Sequence, residues 1–144
     1  MNAQSRARRI GRSTRRVAAT CRFVVVCVAL ASCSDDGARS NAVATFEVAG
    51  GEEFRVELAT PALVEHAVDL LNGGDLAAIP IGTIVRDDAG VNEPWSWHID
   101  PATFEFASVT VEVCDGLPSY VEDGTLTSAQ FCPWSAKVID VSGN

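Results

Sequence analysis

The chain has 144 residues and a formal net charge of −8, a length that suits one domain and is short for two. The charge is unevenly placed: seven of the 11 basic residues lie in the first 22 positions, and no acidic residue precedes Asp35. Residues 33–144 hold four basic residues against all 19 acidic ones, a formal −15, which repels phosphate backbones and excludes nucleic acid as a natural partner.

The basic head, Arg6 to Arg22, runs into an apolar stretch over 23–31 and then into small residues, the layout of a secretory signal. Nine apolar residues are too few for a membrane span, which needs ~20. Leu30-Ala31-Ser32-Cys33 reads as a lipobox, in which small residues admit the peptidase and the Cys33 thiol takes the lipid. The expectation is a lipoprotein signal over 1–32, acylation at Cys33 and a lipid-anchored protein exported to the cell envelope, facing the periplasm or the exterior. Two or more acyl chains hold a protein stably where one does so only marginally. Thr14-Arg15-Arg16-Val17 resembles a twin-arginine signal only faintly. Residues 33–42 are polar and read as a tether, and 43–144 as a single acidic domain.

Within that domain, residues 43–48 and 53–58 alternate apolar and polar around Gly50-Gly51, which predicts a β-hairpin. Thr60 and Pro61 open a helix that Asn72-Gly73-Gly74 stops. Its expected buried stripe is Val64, Ala67, Val68 and Leu71, with Glu65, His66 and Asp69 outward. Further strands are expected over 80–86, 95–99, 104–113 and 134–141, with one helical turn over 117–123. The long strand would place Val109, Val111 and Val113 on one face. The sum is an α+β fold, a small and mostly antiparallel sheet with one packed helix. Cys21 and Cys27 leave with the signal and Cys33 is lipidated, so Cys114 and Cys132 remain. In an oxidising compartment they suggest one disulfide.

Three pieces concentrate unusual residues. The first is Asn92-Glu93-Pro94-Trp95-Ser96-Trp97-His98-Ile99-Asp100-Pro101. The second is Val111-Glu112-Val113-Cys114-Asp115-Gly116, followed by Tyr120-Val121-Glu122-Asp123. The third is Phe131-Cys132-Pro133-Trp134-Ser135. In this order they resemble the N-terminal domain family of a slime-mould calmodulin-binding protein, a family also found in secreted bacterial proteins. Its pattern runs Asn-Pro-x-Trp-Ser-Phe-His-Leu-Asp-Pro, then Glu-Val-Cys-Asp, then Cys-Pro-Trp-Ser. Here Trp97 stands for the aromatic and Ile99 for the leucine, and Pro94 has moved one place. The likeness spans about 43–141. It implies a compact domain in which Cys114 and Cys132 meet, and it supplies no catalytic residue. Calmodulin is not expected as a partner, because that acidic protein takes basic amphipathic helices and this domain is itself strongly acidic.

Ser96, His98 and Asp100 share one strand face, which invites a triad reading. Side chains two apart on a strand sit ~6.5–7 Å apart, too far for the short bonds a triad needs. The simpler expectation is that Asp100 caps the turn at Pro101 and His98 bonds a neighbouring loop. A zinc site from His66, His98, Cys114 and Cys132 matches no short ligand spacing, and oxidation would consume both thiols. The oxygens of residues 87–93 lack the alternation of a calcium loop, although the acidity favours calcium, a cationic ligand or a basic protein over anions. No cofactor is expected. Trp95 and Trp97 share a face with Ile99 and point to the core, whereas Trp134 follows Cys132-Pro133 and should be the most exposed tryptophan. The leading expectation is therefore a membrane-tethered, non-enzymatic binding module with Trp134, His98, Asp100 and Asp115 as candidate binding residues. The alternatives are a structural or inhibitor-like envelope protein and an enzyme of unrecognised type.

Overall fold

A computed structural model describes residues 42–143. The signal, Cys33 and all of the expected tether except Ala42 lie outside the described residues. The first two strands, β1 (Ala42–Glu47) and β2 (Glu53–Leu58), form the expected hairpin, starting one residue earlier than the alternation suggested. Its turn needs glycine: Gly50 and Gly51 both have φ in the left-handed region, at 99° and 82°, where side chains with a Cβ are strained.

Helix α1 (Pro61–Leu71) is capped by Thr60, whose Oγ1 accepts from the Leu63 N–H at 3.3 Å. Its buried face is turned by one residue from the expected one. Ala67 is fully buried, Leu63 and Val64 pack on the core, and Val68 and Leu71 are exposed. His66 is also drawn in rather than solvated. Its ring stacks on Phe106 at 4.4 Å and its Nε2–H donates to the Ala77 carbonyl at 2.7 Å. A helix surface turns about 100° per residue, so one shift exchanges which neighbours meet the sheet.

The remaining elements are β3 (Ile79–Arg86), β4 (Trp97–Ile99), β5 (Glu105–Ala107), a single 3-10 turn (Glu112–Cys114), the short helix α2 (Pro118–Glu122), β6 (Gln130–Phe131) and β7 (Lys137–Gly143). All strand pairs are antiparallel, and the strands divide into two sheets. One has the order β2-β1-β7. In the other, β3 pairs along its length with β5, β6 and β4. The described residues are thus α+β and mostly antiparallel, and among them are one substantial helix and one disulfide, between Cys114 and Cys132. Closing that 18-residue separation stabilises the fold by ~3 kcal/mol in the chain-entropy account.

The expected strand over 104–113 is cut to three residues. Ala107 pairs with Ile79, the first residue of β3, so residues beyond Ala107 have no ladder left to join. The final strand starts at Lys137 rather than 134, because residues 133–136 make a turn in which the Ala136 N–H donates to the Pro133 carbonyl. The core lies between the two sheets and α1. Phe46 stacks on Phe54 at 5.0 Å, and Phe131 meets Phe54 and Trp97 edge-on, both at 5.3 Å.

Candidate functional site

The first motif wraps the free edge of β2. Asn92 is fully buried and bridges two elements. Its Oδ1 accepts from the Arg55 N–H at 2.7 Å, and its Nδ2 donates to the Trp97 carbonyl at 2.9 Å. Trp95 falls before β4 rather than in the strand expected over 95–99, is half-buried rather than in the core, and donates its Nε1–H to the Glu53 carbonyl at 2.7 Å. Arg55 and Glu53 are alternate residues of β2 whose outward main-chain groups β1 cannot reach. Asn92 and Trp95 therefore supply what a further strand would have supplied. Exposed edges invite unwanted pairing, and this one is covered by its own motif.

The second and third motifs complete the clasp. Glu122 accepts from both the N–H and the hydroxyl of Ser96, at 2.9 and 3.0 Å. Glu52, in the hairpin turn, holds Ser119 at the start of α2 in the same two-bond manner, at 2.8 Å each. Asp115 Oδ1 accepts from the Gly116 N–H at 3.0 Å and the Trp134 N–H at 2.8 Å. The Cys132 N–H donates to the Cys114 carbonyl beside the disulfide, and Ser135 Oγ accepts from the Ala49 N–H in the hairpin. Arg86 donates to the Val121 and Leu126 carbonyls, a basic group at the acceptor-rich end of α2. In the turn after it, the Thr125 hydroxyl and main chain bond Asp123 and hold its carboxyl below the usual carboxylate range.

The expected binding residues do not form one site. His98 Nδ1–H donates to the Asp88 carbonyl at 2.7 Å, and the Asp88 carboxylate lies 4.0 Å away. Asp100 Oδ1 accepts from the Ala102 N–H at 2.9 Å, capping the turn after Pro101, and lines an open depression of about 420 Å³ with Glu57 and Ala59. Trp134 lines a different one of about 520 Å³ with Val48, Ala136 and Lys137. Ser96, His98 and Asp100 each bond a separate segment, so the triad reading has no geometry behind it. His66 and His98 are likewise held by main-chain carbonyls, and the cysteines are joined. Among the described residues no group of three His, Cys, Asp or Glu could hold a metal ion. In the 87–93 loop, whose oxygens are of the calcium-binding type, Asn92 turns inward to the core.

What faces solvent is the region around the disulfide. Val109, Val111 and Val113 are 83, 61 and 73 % exposed and Trp134 is 48 % exposed, while Trp97 is 1 % exposed. The Trp134 Nε1–H donates to Thr110 Oγ1 at 2.6 Å, so the ring is fixed beside the valine-bearing segment. The expected long strand hid this, because alternation assigned the three valines to a buried face. Their signal would have been the absence of any partner strand for 108–113.

Residues 40–143 match the model of the BP-74 N-terminal domain family, the N-terminal domain family of a calmodulin-binding protein. The chain belongs to that family, and the three motifs that pointed to it supply the clasp just described and part of the exposed region around the disulfide. No curated protein matches the chain, and neither does any solved structure.

Proposed function

We propose that this protein is an exported binding module of the cell envelope, anchored to a membrane by acyl chains on Cys33 and carrying no catalytic centre. The observation that carries the reading is how the motif side chains are used. Ser96, His98, Asp100 and Asp115 are each committed to holding a turn or another segment of the chain. None of these bonds pairs one of the four with another, as a nucleophile and its base would be paired. The basic head, the short apolar run and the lipobox support the address. The formal −15 of residues 33–144 favours a basic protein or a cationic ligand, recruited by a field that salt would screen.

Replacing Cys33→Ser tests the anchor. The variant is expected to leave the membrane fraction and to lose the acyl mass carried at that position. Wild-type protein recovered with Cys33 unacylated would defeat the anchor. Photo-crosslinking of the full chain in intact envelopes tests the module. Basic partners are expected, with yields falling as salt rises, and salt-independent capture of acidic partners would defeat the charge argument.

A further inference from the structure

We infer that the disulfide-stapled tip formed by Val109, Val111, Val113 and Trp134 docks on the lipid surface of the membrane to which the chain is anchored. This rests on the anchor reading for proximity and on three separate observations for the surface itself.

The first is composition. Between residues 42 and 143 the chain carries 17 acidic and three basic residues, yet 106–111 and 124–136, which meet where Trp134 bonds Thr110, contain no charged residue. The charges beside them are Glu112 within the 3-10 turn, Asp115, whose carboxylate takes the Trp134 N–H, and Lys137 in the Trp134 depression. The tip therefore carries less of the repulsion that an anionic bilayer exerts on the rest of this acidic molecule.

The second is the form of the patch. Three valines and a tryptophan stand out from one stapled tip, and Trp134 is held by its bond to Thr110. A fixed ring loses little freedom on docking. Tryptophan also favours the boundary between headgroups and hydrocarbon, where its apolar body and its N–H are both accommodated.

The third is reach. Lys137 pairs with Glu47 and Gly143 with Ala42, so the tip lies at the end of β1 away from Ala42, about 17 Å along the strand. The nine peptide steps from Cys33 to Ala42 span at most about 30 Å. A molecule anchored at Cys33 can therefore bring its tip to the same bilayer. Anchoring makes docking an intramolecular event at high effective concentration, so four apolar side chains suffice where a free protein would need more.

The full chain in vesicles of mixed zwitterionic and anionic lipid, brominated high on the acyl chain, tests this. Trp134 emission is expected to shift to the blue and to be quenched by the bromines, with Trp95 and Trp97 unaffected. Trp134→Phe is expected to remove the quenched component. Val109→Asp with Val111→Asp, at two well-exposed positions, should lower it about tenfold, since charge is opposed near hydrocarbon more strongly than valine is favoured. Quenching that is absent, or unchanged in Trp134→Phe, overturns the inference. So does crosslinking of the envelope-bound tip to protein alone. Acylation of Cys33 is read separately by mass. If it is absent, adding the chain to preformed vesicles still decides whether the tip meets lipid, so failure of the anchor and failure of the docking surface are distinguishable.

Discussion

The clasp on β2 and the disulfide tip both draw on motif residues that include tryptophan, yet they use them in opposite ways. In the clasp, Trp95 and Asn92 direct their polar atoms to the Glu53 and Arg55 main chain, and Trp97 is sealed among Phe54 and Phe131. At the tip, Trp134 gives its N–H to one threonine and leaves its ring half in solvent beside three exposed valines. Residues of one family motif set therefore need not form one site. The clasp closes an edge that would otherwise recruit strands, and the tip is left free by the lack of any strand to pair with.

Substitutions at three positions separate the two regions. The largest expected effect is at Trp97→Ala, which should cost ~3–5 kcal/mol in denaturant unfolding, the range for deleting a large buried aromatic. A cost below ~1 kcal/mol would mean that the aromatic cluster is not the core of the clasp. Next is Asn92→Ala, which strands the Arg55 N–H and the Trp97 carbonyl. About 2–3 kcal/mol should be lost, together with faster hydrogen exchange at Arg55, and Asn92→Asp should not rescue the donor to Trp97. An unchanged exchange rate at Arg55 would show that β2 is covered some other way. The smallest is Trp134→Ala, expected to cost under ~1 kcal/mol because the ring is half in water. A loss as large as that of Trp97→Ala would place Trp134 in the core and leave the tip without its aromatic.

How much was legible follows from which forces act locally. The β1–β2 hairpin could be read because alternation and Gly50-Gly51 are properties of neighbouring residues, and α1 because Thr60, Pro61 and Asn72-Gly73 mark its ends. The capping by Asp100 and the bond from His98 to the 87–90 turn were also readable, since both partners lie within a few residues or in the adjacent turn. The rotation of α1 was not, because a stripe shifted by one residue is nearly as apolar as its neighbour. Only the sheet and the ring of Phe106 decide between them. The Ser96–Glu122 and Ser119–Glu52 pairs were equally invisible, as they join residues 26 and 67 apart.

Composition and short periodicity were enough for the charge division between head and domain and for the α+β class, the two cysteines left beyond Cys33 could be read as a pair, and the family was legible in its resemblance to three motifs taken in order. Tertiary structure decided which motif atoms are engaged and which are free. Asn92 and Trp134 are alike in sequence terms, two polar-tipped residues in motifs of one family. Asn92 is buried because β2 presents unpaired main-chain groups where a side-chain amide can reach them, and burial without those bonds would cost more than it gained. Trp134 is exposed because β3 begins at Ile79 and gives the chain beyond Ala107 nothing to pair with, so the segment it leans on never enters the core.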